Sequence, residues 1–428
     1  MPGRAWGKPP SCPVRGVEAR IWPLWTWSFS RLAWVTGEGK APSGDKDKKG
    51  MLSCRGAPRG RGGKIMPEFE RLERIIAGCL EENASKPAVW WKGSWMNGAE
   101  FLGLIANTEK ILEESGFDPG SRIAVFMANS PLLRAIAVAA WRLGGAGIPA
   151  VIAPPVGPLP GFKGQKDTRE DESIAVILAT SGTTGAPKAV QVSHGNLVDN
   201  SLKVHENVES FDTGRILMNA LPNFHSLGFT LCGVLPLCFG LPMVIVPSFI
   251  PVKETIEALR EAEVSILIAV PAMLPFLLET VSKEGITFPE LKYILTGVGK
   301  LDPTLENRIR KDMEVICFEG YGLTECSPVV SANPSEKRRK PSTVGPPLSG
   351  YETQLRELDG RVLLPGEEGV LWVKGPSVTS GYFRAPELTA ERFHDGWLDT
   401  GDIVKIDEDG YISILDRATD LIIVGGES

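Results

Sequence analysis

Apolar and polar positions along this chain follow two periods, and from Met66 onward the periods take turns. Phe69 to Leu80 carries its apolar residues at helical spacing, Ala88-Val89-Trp90-Trp91 reads as a strand, and Gly98 to Glu114 reads as a helix. A strand over Arg122–Met127 and a helix over Pro131–Leu143 follow. The β-branched run Ile174–Leu178 and the alternating Ala189-Val190-Gln191-Val192 predict two more strands, with a helix starting near His194. A second series predicts helices over 254–262, 271–282 and 303–313 and strands over 265–270, 291–295 and 315–319. Pro271 suits the first turn of its helix. Such alternation predicts an α/β fold with mainly parallel sheets. After about residue 345 helical patterns stop. Short strands with Asp359-Gly360, Pro365-Gly366 and Asp409-Gly410 turns predict a small β-rich part.

Two regions break the pattern. Ile216 to Val252 holds no Lys, Arg, Asp or Glu, yet Pro222, Pro236, Pro242, Pro247 and Pro251 cut it into pieces too short to span a bilayer. A buried helix over 226–235 and a buried strand over 243–246 are expected there. Residues 1–65 hold five of the eleven tryptophans among scattered Pro, Gly and Arg, with no apolar core of a signal peptide. A basic interaction tail is one reading. The expectation preferred here is a disordered head, upstream sequence read as protein, with a natural start at Met66 or Met51.

Charge sharpens this division. Residues 1–64 carry 13 Lys/Arg and 4 Asp/Glu, while the remainder carries 33 against 48. An acidic body argues against a nucleic-acid partner. The seven cysteines and four histidines share no metal-ligand spacing, so no zinc is expected. Scattered thiols and the lack of a transmembrane segment point to a reducing, cytoplasmic setting, which still allows peripheral membrane contact.

Between the strands at 174–178 and 189–192 lies Ala179-Thr180-Ser181-Gly182-Thr183-Thr184-Gly185-Ala186-Pro187-Lys188. Glycines let the backbone turn, hydroxyls and free N–H groups converge, and a lysine follows. That suits a polyphosphate. It also suits a plain hairpin turn, and G-x-x-x-x-G-K-[ST] does not fit it. Open α/β sheets bind ligands beyond the carboxyl ends of their strands. Here those ends are Thr296-Gly297-Val298-Gly299 and Gly320-Tyr321-Gly322-Leu323-Thr324-Glu325.

In order, this loop, Tyr321 to Glu325, Trp397-Leu398-Asp399-Thr400-Gly401-Asp402 and Arg417-Ala418-Thr419-Asp420 resemble the signatures of the acyl-adenylate-forming superfamily. They match T-S-G-T-T-G-x-P-K-G (with Ala189 for the last Gly), Y-G-x-T-E and W-x-x-T-G-D. Within that superfamily, residues 319–330 and the Phe224-His225-Ser226 gate look most like bacterial fatty-acyl-CoA and acyl-acyl-carrier-protein synthetases. The resemblance implies two doubly wound α/β subdomains, 66–215 and 216–345, a β-rich subdomain, 346–415, and a hinge stub, 416–428. It implies ATP, Mg²⁺ and a fatty acid as ligands, with coenzyme A or acyl carrier protein as thiol acceptor.

It also implies roles. Thr180, Ser181, Gly182, Thr183, Thr184, Gly185 and Lys188 would hold the β/γ-phosphates. Glu325 would hold Mg²⁺ and Thr324 would reach the α-phosphate. Tyr321 would stack on adenine beside Gly297 to Gly299, Glu319, Gly320 and Gly322. Asp402 would accept the ribose hydroxyls near Arg417, and His225 would sit at the acyl pocket mouth. Lys188, His225, Thr324 and Glu325 form the catalytic set.

Three departures qualify the resemblance. The segment between Ala150 and Ile174 is short, residues 1–65 match nothing in the superfamily, and Ser428 falls just past the hinge Asp420. A small C-terminal domain with its lysine is therefore expected to be missing. The alternatives are an aryl-acid or amino-acid adenylation domain and a truncated nucleotide-binding remnant.

Overall fold

Strands from distant parts of the chain share one sheet. Its order is Val329–Ala332, Ile316–Gly322, Tyr293–Thr296, Ile266–Ala269, Leu217–Asn219, Met243–Ile245, Pro87–Trp91, Ser94–Asn97. The five inner pairings are parallel and the pairing at each edge is antiparallel. The computed structural model describes residues 71–150, 173–180, 188–212, 214–357, 360–364 and 366–417, and the side chains of 147–150 are outside it. The predicted disordered head and the hinge Asp420 lie outside the described residues.

Both faces of this sheet are buried, which explains its continuous apolar strands. Leu217, Ile266, Ile268, Leu295 and Phe318 face one core, while Met218, Leu267, Ala269, Ile294 and Cys317 face another. Helices Val252–Glu261, Leu274–Glu284 and Pro303–Met313 cover the second face. The helix Pro303–Met313 starts where Asp302 accepts from Thr304 and Leu305 N–H, with Pro at its first turn.

A four-stranded sheet runs Arg122–Phe126, Ala146–Ala150, Ile174–Thr180, Lys188–Ser193. Its last pairing is antiparallel, with Thr180 opposite Lys188. A core of Leu72, Ile76, Phe101, Ile105, Val138, Trp141, Val176, Leu178, Phe229 and Met243 joins elements of both sheets. Helix Gly98–Glu114 has the predicted bounds because Asn97 and Glu100 form a reciprocal capping box. Ser193 and Asn196 do the same for His194–Asn207.

The strands Glu352–Arg356, Glu368–Lys374, Phe393–His394, Trp397–Ile406 and Ile412–Arg417 form an antiparallel sheet around Leu355, Leu371, Val373, Leu398, Val404 and Ile412. The structure differs from the sequence reading here. Helices do not stop at 345, because Pro386–Arg392 is helical, with Pro at its first position and Glu387 in its first turn. Its seven residues are too few to show a helical period.

The charge-free stretch also differs from expectation. Its helix runs beyond 235 as three parts, the α-turn Ser226–Phe229, the π-helical Thr230–Val234 and the α-helical Leu235–Phe239. Leu217–Asn219 is a further strand within it. Among the described residues no helix is long and apolar enough to cross a membrane.

Candidate functional site

The carboxyl ends of Tyr293–Thr296 and Ile316–Gly322 are built for close backbone approach. A Cβ on Gly322 would lie 2.0 Å from the Pro328 carbonyl oxygen, one on Gly320 3.1 Å from Ser331 O, and one on Gly297 3.2 Å from Gly320 O. Gly299 has only Pro271 side-chain atoms, 3.8 Å away, so no such demand falls on it. Between Gly297 and Gly299, Val298 is held at φ +72° and is 71% exposed. A β-branched residue in the left-handed region stores of the order of 1–3 kcal/mol of strain, a feature concentrated at ligand-binding turns.

Glu319 closes this corner rather than facing outward. Its carboxylate accepts Leu301 N–H at 3.2 Å, and its carbonyl accepts from Asn333 at 3.0 Å (N) and 3.2 Å (Nδ2). Burial pushes its carboxyl above the ordinary range.

Thr324–Cys326 is a single 3₁₀ turn. Leu323 N–H donates to Pro328 O at 2.8 Å across the loop. The fully buried Asn200 pins the turn from the helix His194–Asn207. Its Nδ2 donates to Cys326 O (3.1 Å) and Val329 O (2.8 Å), and its Oδ1 accepts Val329 N–H (3.2 Å).

Glu325 is buried, and its Oε1 accepts a 2.7 Å hydrogen bond from the Tyr382 hydroxyl. Its carbonyl accepts Thr379 N–H at 2.8 Å. Burial first, then the Glu325 charge, pushes the Tyr382 phenol well up, so it stays a proton donor. The strand after the candidate phosphate loop reaches the same tyrosine. Val190 bridges Tyr382, Phe383 N–H donates to Ala189 O at 2.7 Å, and Lys188 Nζ lies 5.6 Å from the Tyr382 ring centroid. Ser181, Gly182, Thr183, Thr184 and Gly185 lie outside the described residues, while Thr180 stands opposite Lys188.

On the other side, Thr324 Oγ1 is 3.2 Å from Ser226 Oγ. The preceding His225 caps the turn Ser226–Phe229, its Nδ1 accepting Leu227 N–H at 3.3 Å. Burial lowers the His225 imidazole, which fits this acceptor role for an uncharged ring.

A second network gathers Tyr321, Asp402 and Arg417. The Tyr321 hydroxyl donates to Asp402 Oδ2 at 2.6 Å and Arg417 Nε to Oδ1 at 3.0 Å. Asp402 and Arg417 are register partners on adjacent strands, which sets the pair. Asp402 is 3% exposed, whereas the Arg417 side chain is 48% exposed. Burial first, and Asp402 next, pushes the Tyr321 phenol well up. Each carboxylate oxygen keeps a further lone pair, so Asp402 retains acceptor capacity. Thr400 braces the turn by donating to Leu371 O (2.7 Å) and accepting Asp402 N–H (3.1 Å).

The structure thus links His225–Ser226 to Thr324, and Glu325 to the strand of Lys188. Sequence reading missed Tyr382 and Asn200. Gly381-Tyr382 carries no spacing signal toward Glu325, and Asn200 reads as an ordinary helix polar residue.

Residues 152–383 match the family model described as AMP-binding enzyme. Over 260 residues the chain is 36% identical to the 2-succinylbenzoate–CoA ligase of Bacillus velezensis, covering 60% of this chain and 51% of that one. Over 264 residues it is 33% identical to the long-chain-fatty-acid–CoA ligase of Bacillus subtilis, covering 60% and 46%. The chain therefore spans about half the length of the curated relatives it matches. Among solved structures, ATP-bound MatB from Rhodopseudomonas palustris aligns with a TM-score of 0.72 at 26% identity, over 84% of this chain and 81% of that one. The N-terminal domain of FACL13 from Mycobacterium tuberculosis shares the fold, with a TM-score of 0.72 at 23% identity over 82% and 100%. With more than half its residues matched, the chain belongs to the AMP-binding enzyme family, within the adenylate-forming superfamily.

Proposed function

We propose that this chain carries the nucleotide- and acid-binding part of an ATP-dependent acid–thiol ligase. A substrate carboxylate oxygen attacks the α-phosphorus of ATP, the bond to the β-phosphate oxygen breaks, and pyrophosphate leaves. The acyl-adenylate then passes its acyl group to a thiol, of coenzyme A or an acyl carrier protein, releasing AMP. The observation that carries this reading is the chain of contacts from Ser226 through Thr324 and Glu325 to Tyr382 and Lys188. It puts an acid-gate candidate, a hydroxyl, a carboxylate and a cation in one connected unit.

A carboxylate is a weak nucleophile attacking an anionic group, so positioning and charge neutralisation dominate. Thr324 is assigned to the α-phosphate and Lys188, with Thr180 and the 181–185 loop, to the β/γ-phosphates. The buried Glu325 carboxylate, oriented by Tyr382, fits Mg²⁺, which supplies charge neutralisation to the phosphates when bound. Tyr321, beside the glycine-walled corner at Gly297, Gly320 and Gly322, is assigned to the base, and Asp402 with Arg417 to the ribose.

A fatty acid is the substrate favoured here. The charge-free Ile216–Val252 stretch, which contains His225, buries Phe229, Leu231, Val234 and Leu235. The similarity to 2-succinylbenzoate–CoA ligases supports an aromatic acid as the second reading. ATP–pyrophosphate exchange with dodecanoate, 2-succinylbenzoate or an amino acid tests the assignment. Exchange that depends on dodecanoate is expected. Exchange unaffected by any acid would overturn it.

A further inference from the structure

Arg134 sits inside the helix Pro131–Arg142 at 2% exposure, and its guanidinium pairs with no carboxylate among the described residues. Buried charges normally find a counter-charge. This one instead donates to two carbonyl oxygens of a single turn and to one side-chain amide oxygen. Nη1 donates to Phe229 O at 3.2 Å, and Nη2 to Gly228 O at 2.9 Å and to the Asn223 side-chain oxygen. The guanidinium also lies 5.4 Å from the Phe229 ring centroid. Burial lowers Arg134 to about 10, still charged at neutral pH.

The surroundings are shaped for this grip. Past Phe229 the helix widens into a π-turn, with Leu235 N–H reaching back five residues to Thr230 O. π-turns inside α-helices mark functional sites more often than chance. Gly233 lies so close that a Cβ there would be 2.0 Å from the guanidinium carbon. On the other side Asn223 is itself fixed, its N–H donating to Asn129 Oδ1 at 3.1 Å and its side chain accepting from Asn219 at 3.2 Å. The gripped turn begins at His225, whose carbonyl accepts Phe229 N–H at 2.9 Å, and it carries Ser226 against Thr324.

We propose that Arg134 is a positioning residue for the acid substrate. By holding the Gly228 and Phe229 carbonyls and Asn223, it fixes the His225–Ser226 turn against Thr324 and so sets the acid pocket without touching the acid. This rests on the acid-pocket reading given above. The groups assigned to the base and ribose, Tyr321 and Asp402, have no contact with Arg134 among those described.

The test uses the full chain, the variants Arg134→Lys, Gly233→Ala and Asn223→Ala, and two dissociation constants for each, for AMP and for acyl-sulfamoyl-adenosines of increasing chain length. Arg134→Lys keeps charge but loses the fork that spans two carbonyls. Gly233→Ala pushes the guanidinium off its seat, and Asn223→Ala removes one acceptor. The account expects AMP affinity within about twofold of the parent, while the affinity gained by lengthening the acyl chain drops about tenfold. A parallel loss of AMP and acyl affinity, or a chain-length series matching the parent, would overturn it. So would failure of all three variants to fold, because the network would then hold the domain rather than the gate. If the unaltered chain itself prefers AMP to every acyl analogue, the acid-pocket reading fails instead.

Discussion

The Tyr382 hydroxyl donates to the Glu325 carboxylate at 2.7 Å, across 57 residues of sequence, and both side chains are buried. Tyr382 also bridges the strand Lys188–Ser193, so the candidate metal carboxylate and the root of the candidate phosphate loop share one support.

Tyr382→Phe removes that donor and leaves the ring. Groups that orient a metal ligand typically carry about 10–100-fold in metal affinity. A Mg²⁺ titration of ATP binding should therefore shift by that order, while metal-free AMP binding changes little. Equal weakening of both would make Tyr382 merely structural. Glu325→Gln should follow the same pattern more strongly.

Asp402→Asn should weaken AMP binding by about 10–100-fold, the loss of one or two hydrogen bonds to a charged group. Tyr321→Phe should cost far less, because the ring assigned to the base remains and only the 2.6 Å bond to Asp402 goes. Calorimetric titration with AMP separates the two. A Tyr321→Phe variant as weak as Asp402→Asn would reverse the assignment.

His194 supplies a pH prediction. Burial first, and Arg71 second, lower it from 6.5 to about 3, so at neutral pH its 3.8 Å approach to Glu73 is not an ion pair. The unfolded chain binds this proton more readily, so the contribution is full above about pH 6.5 and is lost as pH falls toward 3. From pH 7 to about 4.5 the parent should lose about 2–3 kcal/mol more stability than His194→Phe. Other titrating groups, including His225 with the same sign and Glu319 with the opposite one, are common to both proteins. Identical slopes in denaturant titrations would show that His194 does not titrate in this window.

Much of this was legible because its signals are local. The helix Gly98–Glu114 has its cap in Asn97 and Glu100, and the Tyr321–Glu325 and Thr400–Asp402 runs stand out by residue type. The rest depends on pairings that sequence does not display. Ala146–Ala150 contains Gly147 and Pro149, which argue against a strand, yet it lies within the four-stranded sheet. Ser94–Asn97 is a strand because Lys92 and Gly93, both at positive φ, close a tight hairpin with Pro87–Trp91. Arg134 reads as a solvated helix charge until the turn at Gly228 and Phe229 is laid over it. Asp402 meets Arg417 only through strand register.

On the proposed function, this site joins a nucleotide to an apolar acid. The most direct measurement is the affinity of the full chain for acyl-sulfamoyl-adenosines of increasing chain length, set against AMP. The account predicts that every acyl analogue binds more tightly than AMP and that affinity rises with length, by up to about 0.8 kcal/mol per buried CH₂. A flat series no tighter than AMP, or a preference for an aminoacyl analogue, would contradict it.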